Sequence, residues 1–341
     1  MPRTLCVLCV GLLHAEAFRA PRISKPHAEA FRAPRINKPH AYGITRLHAT
    51  AAAEHATAAS VSAHFKVFIE DTDCFQIVFY ANYLRYYQRA LADLAEGPAR
   101  PRVVSTTQMR YAKPAIMGDA LRVEGALEAV EDGVSYWRAR VVRATATGDD
   151  EVLNSALLGV QFDGAALPPS LPAEASAPAP ARAEAERAAA LAAPGERLSL
   201  PSLPVTVHDD ERDATGARPP LTSVLRYFER GRTAGLGGPE SLQRIADEGL
   251  SVVVGRVEGV GFAEDVRDDE AWAGAKLTVL SSAVIKRRGI VSFRHDLVRE
   301  DNSLVATGEM VCFFIRADDG RPAPLPEWLT PVLRCLTPEN G

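Results

Sequence analysis

The chain has 341 residues and a formal net charge of −4, and 47% of its residues are hydrophobic while 24% are charged. This composition is typical of a globular protein, the length suggests about two domains, and the acidic balance gives no global positive field for nucleic acid. No apolar run approaches the roughly 20 residues that span a bilayer. The five cysteines are scattered and predict neither a disulfide framework nor a zinc site.

Residues 1–18 have the order of a secretory signal peptide. Arg3 supplies a positive first region, 5–13 is a short apolar stretch, and Ala15-Glu16-Ala17 fits a small-residue cleavage site directly before Phe18. The apolar stretch is too short to be a membrane anchor.

A basic segment follows, in which residues 14–26 and 27–39 are two copies of one sequence that differ only at Ser24 and Asn37. From residue 19 to about residue 60 the chain is rich in Arg, Lys and Ala and poor in acids, as transit peptides are. Together, residues 1–60 resemble the bipartite plastid presequence of algae with secondary plastids, which implies a plastid protein. The alternative is a secreted protein with a basic arm.

Two segments of similar length, 61–163 and 205–330, are separated by a stretch dominated by Ala and Pro at 164–204, which predicts an extended linker. The first segment begins with an alternating strand pattern at 64–70. Apolar side chains then recur every three to four residues, which predicts a helix over about 80–95. Four strand-like runs follow, at 103–113, 121–131, 134–147 and 152–162.

The second segment repeats this order of elements. A short strand at 203–208 precedes a helix at 221–236, and strands are predicted near 251–262, 276–285, 290–300 and 304–316. The match between LRYYQR at 84–89 and LRYFER at 225–230 indicates a duplication. One long helix against a curved antiparallel sheet, present twice, is an α+β architecture.

Three acids, Glu70, Asp71 and Asp73, lie just before the first predicted helix, and an apolar run at 77–80 follows them. An acid in this position can cap the helix, or it can be a catalytic carboxylate that faces the free N–H groups of the helix N-terminus. Spacing alone favours the cap.

The stretch EDTDCFQIVFYANYLRYYQRA resembles the hotdog-fold thioesterases of the 4-hydroxybenzoyl-CoA thioesterase family, in which Asp-x-Asp-x-x-Gly-(Ile/Val)-Val precedes Asn-Tyr-x-Arg. Residues 109–124 match the next element of the family, so the resemblance covers nearly all of 62–163. It implies two hotdog domains that form an intrachain double hotdog, and homo-oligomers of such chains. It also implies a thioesterase that acts on acyl-CoA or acyl-carrier-protein thioesters without a metal or redox cofactor. The matching residues are Asp71, Asp73, Ile77, Val78, Asn82, Tyr83 and Arg85.

By the same resemblance, Asp73 is the functional carboxylate, either as a nucleophile or as a general base for water. The backbone N–H of Tyr80, at the start of the helix, would hold the oxyanion that develops on the thioester carbonyl. Gln76 stands where the family has glycine, so the tight turn there is made without one. The side chains expected to contact the substrate or to fix the loop are Asn82, Gln76, Val78 and Tyr83.

The second segment departs from the motif. Asp213 aligns with Asp73, but residues 217–220, Ala-Arg-Pro-Pro, replace the apolar run before the helix. We therefore expect this half to be a degenerate partner, with a second site at Asp213 as the alternative.

Two other functions use the same fold. A hotdog dehydratase needs a His paired with an acid. Outside the presequence the chain has only His64, His208 and His295, of which the first and last are predicted to be strand residues. A non-catalytic protein that binds acyl chains or a partner is the other alternative, because Gln76 and the altered second motif depart from the family pattern.

Overall fold

The computed structural model describes residues 60–73, 76–94, 100–143, 150–162, 198–212, 218–263, 266, 272–287 and 289–335. The predicted presequence, most of the predicted linker and Asp213 lie outside these residues.

The first half contains five strands and one α-helix. The strands are β1 (Ser60–Lys66), β2 (Pro101–Tyr111), β3 (Ala120–Glu131), β4 (Val134–Arg143) and β5 (Glu151–Phe162), and helix α1 spans Tyr83–Ala92. Short 3₁₀ turns at Ile69–Asp71 and Tyr80–Asn82 connect β1 to α1. One face of α1 is buried, as its apolar spacing predicts, and it packs against β1, β2 and β3.

The second half has the same order. Its strands are β6 (Leu198–Ser199), β7 (Leu203–Thr206), β8 (Leu250–Phe262), β9 (Lys276–Arg287), β10 (Ile290–Arg299) and β11 (Leu304–Arg316). Its helices are α2 (Leu221–Gly235), α3 (Pro239–Asp247) and α4 (Leu329–Cys335). Helix α2 approaches β9 closely at Gly231, where a Cβ atom would lie 2.7 Å from the Val279 side chain.

The two halves form one antiparallel sheet of 11 strands in the order β1-β3-β4-β5-β2-β8-β11-β10-β9-β6, with β7 also paired to β9. The halves meet where β2 pairs with β8, with Ser105 opposite Gly261 and Met109 opposite Val257. Helices α1 and α2 lie on the same side of this sheet and contact each other. The expected α+β architecture of two hotdog units in one chain is therefore confirmed.

The expected strand at 64–70 is wrong in its second part. The strand ends at Lys66, and Val67 donates its N–H to the Asp119 carbonyl at 3.0 Å. The chain then turns, because the Asp71 carboxylate accepts the Phe68 N–H at 3.2 Å and closes the 3₁₀ turn. The apolar run at 67–69 continues the strand-like composition into this turn, so the sequence did not show where the strand ends.

The first strand of the second half begins at Leu198, within the segment 164–204 whose composition predicted a linker. Leu198 and Ser199 pair with β9, and β7 begins at Leu203, so the end of the expected linker lies in the sheet. Leu198 and Leu200 are buried in the core, which holds this short segment in place. Helices α3 and α4 were not predicted.

Among the residues that the structure describes, no helix is long and apolar enough to cross a membrane.

His295 lies on β10 with its ring fully buried, 5.2 Å from the Phe228 ring centroid, and its Nδ1 is 2.8 Å from Ser281 Oγ. Burial, together with the nearby Arg232 charge, lowers the pKa of His295 to about 3. Because an unfolded His titrates near about 6.5, only the unfolded chain takes up this proton as the pH falls from about 6.5 toward the folded pKa. The free energy of unfolding therefore decreases as the pH falls through that window.

We predict that the free energy of unfolding decreases less between pH 7 and pH 5 in the His295→Gln variant than in the native protein. Glutamine keeps a hydrogen-bonding group for Ser281. Chemical denaturation at the two pH values measures this difference. His64→Gln is the control, because His64 lies on the exposed side of β1. An equal pH dependence in the His295 variant and the native protein would contradict the prediction.

Candidate active site

Asp71 holds the two ends of the loop that connects β1 to α1. Its carboxylate accepts the Phe68 N–H, and its backbone carbonyl accepts the Phe79 N–H at 3.1 Å and the Asn82 side-chain amide at 2.9 Å. Asp71 is buried beneath the loop. Burial and then the Asp71 charge raise the pKa of Tyr86, although the two side chains stay outside hydrogen-bond geometry. This arrangement supports the structural role expected for the first acid of the motif.

Asp73 lies on a small hairpin within this loop. Thr72 pairs with Val78, the Asp73 N–H donates to the Ile77 carbonyl at 2.9 Å, and the Gln76 N–H donates to the Asp73 carbonyl at 3.0 Å. The Asp73 carboxylate accepts the Ile77 N–H at 3.4 Å and is half-buried. The second acid of the motif therefore has a fixed backbone and some access to solvent.

Gln76 makes the turn of this hairpin with a φ of 62°, in the left-handed region. The expectation that the turn is made without a glycine is confirmed. A residue with a Cβ pays roughly 1–2 kcal/mol in this conformation. The Gln76 carbonyl accepts the Met117 N–H at 3.0 Å, and this bond helps to hold the strained turn.

The segment 115–117 forms the floor of the hairpin. Val78 donates its N–H to the Ala115 carbonyl at 2.8 Å, Ile77 pairs with Ile116, and Ala115 donates its N–H to the Tyr83 hydroxyl at 3.0 Å. The sequence placed this segment in a family element but did not reveal its contact with Asp73's loop. Only the long-range pairing of the two segments shows it.

The chain enters α1 through the 3₁₀ turn Tyr80–Asn82, so the α-helix begins at Tyr83 and not at Tyr80 as expected. The N–H groups of Tyr80 and Ala81 donate no hydrogen bond to any described residue. The first N–H groups of a helix have no partner within it. The N–H of Tyr80, the expected donor, therefore has no partner among the described residues, and it belongs to a 3₁₀ turn.

The residues predicted to contact the substrate do not share one environment. Gln76 is exposed, whereas Val78, Asn82 and Tyr83 are buried, at 5%, 3% and 1% exposure. The Asn82 side chain fixes the loop through the Asp71 carbonyl and makes no helix-capping bond. Burial raises the pKa of Tyr83 to about 12, despite the bond from Ala115. These buried residues shape the loop from below.

The second half keeps the same scaffold. Glu211 accepts the His208 N–H at 3.2 Å and the Tyr227 hydroxyl at 2.8 Å, and the Ser223 hydroxyl donates to the Glu211 carbonyl at 3.1 Å. The bonds from His208 and Ser223 repeat those that Asp71 accepts from Phe68 and Asn82, whereas the bond from Tyr227 has no counterpart at Tyr86. Asp213 follows Glu211 by two residues, as Asp73 follows Asp71, which agrees with the alignment made from the sequence.

Arg218 distinguishes the second half. In the register set by Glu211 and Tyr227 it takes the place of Ile77 or its neighbour, directly before Pro219 and Pro220. Its guanidinium is buried 4.2 Å from the Phe262 ring centroid and donates to the Gln161 side chain at 3.4 Å. Helix α2 then begins at once, at Leu221. The sequence showed this change as Ala-Arg-Pro-Pro, but it did not show that Arg218 contacts the first half.

Within the described residues, no group of three or more His, Cys, Asp or Glu side chains is placed to hold a metal ion.

The fold and this loop define the protein as a double hotdog with a motif-bearing first half. Residues 75–147 match the family model of the thioesterase superfamily. The resemblance seen in the sequence is thereby confirmed, and the match lies within the first half. No curated protein matches the chain in sequence.

Solved structures of low sequence identity are similar to the chain. A Lactobacillus plantarum protein provisionally named an oleoyl thioesterase has a TM-score of 0.50 and 10% identity over 79% of this chain and 98% of its own. The 12:0-ACP thioesterase from Umbellularia californica has a TM-score of 0.46 and 13% identity over 74% of this chain and 93% of its own. A 1,4-dihydroxy-2-naphthoyl-CoA thioesterase from Synechocystis has a TM-score of 0.35 and 16% identity over 40% of this chain and 96% of its own.

We predict that Gln76→Gly stabilises the protein by about 1 kcal/mol, because glycine removes the cost of a left-handed conformation. Urea denaturation measures this difference in the free energy of unfolding. Gln76→Ala is the matched control, since it removes the side chain but keeps the strain. Equal stabilities of the Gly and Ala variants would show that the turn is not strained.

Proposed function

We propose that the protein hydrolyses acyl-CoA or acyl-carrier-protein thioesters at the loop of the first half, with Asp73 acting on the thioester carbonyl carbon. The observation that supports this most is the location of Asp73. It lies half-buried on a hairpin held at both ends, a few residues before two backbone N–H groups that have no partner among the described residues.

Negative charge grows on the thioester oxygen when its carbonyl carbon is attacked. The N–H groups of Tyr80 and Ala81 are the proposed donors to this oxygen, because donors fixed before the reaction cost no reorganisation when the charge develops. The small positive charge at the start of the helix adds to their effect.

Asp73 can complete hydrolysis in two ways. As a nucleophile it forms a mixed anhydride and releases the thiolate, and water then cleaves the anhydride. As a general base it removes a proton from the attacking water and then returns that proton to the sulfur, which leaves as the thiol. Both routes yield the acid and the thiol, and both need the Asp73 carboxylate ionised.

We take the proposed substrate class, acyl thioesters, from the superfamily, and the proposed location of the protein in the cell from the presequence. The signal-like and transit-like order of residues 1–60 supports a plastid location. In a plastid, an acyl-carrier-protein thioester or an aromatic CoA thioester is the substrate that we propose. The homo-oligomer of double-hotdog chains remains part of this proposal.

The second half, in this proposal, supplies structure rather than a second reaction centre. Two prolines, which have no N–H to donate, precede α2. The buried guanidinium of Arg218 lies where the first half has its apolar hairpin arm. This half therefore keeps the supporting contacts of Glu211, while Ala-Arg-Pro-Pro replaces the apolar run that precedes the helix in the first half.

We predict that Asp73→Asn lowers kcat at least about 10²-fold, the contribution typical of a positioned base. Thiol release from a panel of acyl-CoA and acyl-carrier-protein thioesters measures activity and identifies the substrate. Glu70→Gln, which removes an exposed acid three residues away, is expected to keep native activity. An inert native protein, or an active Asp73→Asn variant, would instead favour a protein that binds acyl groups without hydrolysing them.

We predict that Asp213→Asn keeps at least half of the native kcat on the best substrate of the panel. The same thiol-release assay measures it, beside Asp73→Asn. A loss equal to that of the Asp73 variant would show that the second half carries a reaction centre of its own.

A further inference from the structure

The side chain of Tyr80 leaves the first half. Its hydroxyl donates to the backbone carbonyl of Leu225, in α2 of the second half, at 2.8 Å. The ring is buried, at 8% exposure, and burial followed by the Glu229 charge raises its pKa, so the phenol stays protonated. A phenol held in this way serves as a tether rather than as an acid or base.

The surroundings of this tether are rigid. The Arg232 guanidinium is 5.9 Å from the Tyr80 ring centroid, pairs with Glu229, and donates to Cys312 Sγ at 3.1 Å. Arg232 and Cys312 are both buried. A buried charge that keeps its partners cannot shift without a large cost, so this cluster is a firm support for the Tyr80 ring.

The backbone of the same residue is held from the other side. The Tyr111 hydroxyl, on β2 of the first half, donates to the Tyr80 carbonyl at 3.0 Å. Tyr80 is therefore fixed at its carbonyl by the first half and at its phenol by the second. The N–H of the same residue has no partner among the described residues.

We infer that Tyr80 is a positioning residue, and that its hydroxyl bond to Leu225 makes the second half set the direction of the Tyr80 and Ala81 N–H groups in the reaction centre of the first half. This inference rests on the proposed function. It gives the second half a role in the reaction although its own motif is altered. Misplacing a reacting group by about 1 Å can cost about 10²-fold in rate.

The test compares two tyrosines of one segment in the full-length protein. Tyr80→Phe removes the bond to Leu225, and Tyr87→Phe removes a bond of 2.5 Å to Asn154 within the first half. Both rings are buried, so each variant loses one internal hydrogen bond. We expect similar decreases in melting temperature. We expect kcat to fall about tenfold in Tyr80→Phe alone, with KM within twofold of native in both variants.

Equal kcat values for the two folded variants would overturn the inference. If Tyr80→Phe does not fold, Arg232→Lys answers the question, because it keeps the buried charge and Tyr80 itself but alters the support of the ring. A kcat loss of about threefold or more at unchanged KM then supports the inference, and native kcat overturns it.

Asp73→Asn, assayed in parallel, separates this inference from the proposed function. If Asp73→Asn keeps native activity, the proposed function fails and the role of Tyr80 fails with it. If Asp73→Asn is impaired while Tyr80→Phe behaves as Tyr87→Phe does, only the role of Tyr80 is overturned.

Discussion

The pairing of β2 with β8 joins the five strands of the first half and the six strands of the second half into one sheet, and the arrangement of the candidate site depends on it. Residues from Ser105 to Arg110 lie opposite residues from Gly261 to Arg256 across this seam. With the halves joined in this way, α1 and α2 contact each other on one side of the sheet. Only then can the Tyr80 ring reach α2. The backbone hydrogen bonds of one seam therefore decide which side chains of the two halves can meet.

The two halves share a supporting framework and differ where the reaction would take place. In both halves an acid ends a 3₁₀ turn, Asp71 in the first and Glu211 in the second. Its carboxylate accepts a preceding N–H, and its backbone carbonyl accepts a polar side chain at the start of the following helix. Above this framework the first half has a hairpin with Asp73, whereas the second has Arg218 and two prolines. Retention of this framework is what a supporting domain needs, since the framework stabilises the helix that receives Tyr80.

Periodicity in the sequence predicted the long elements well, and the strand at Leu304–Arg316 was placed to the residue. Local patterns failed where tertiary contacts decide the structure. The chain leaves the sheet after Lys66 because of the side chain of Asp71, and the pair Leu198–Ser199 is held by the core rather than by strand propensity. The motif indicated Asp73 as the functional carboxylate and Gln76 as the residue that makes the turn without a glycine. The bond from Tyr80 to Leu225 joins residues 145 positions apart, and no single-sequence pattern encodes such a contact.

We propose that the chain has one reaction centre, in the first half, and that the second half supports it. The number of substrate-binding sites per chain tests this proposal. Titration calorimetry of the Asp73→Asn variant, with the thioester that the native protein hydrolyses fastest, counts these sites without turnover. We expect one binding site per chain. Two sites of similar affinity per chain would contradict it, because the second half would then bind substrate in its own right.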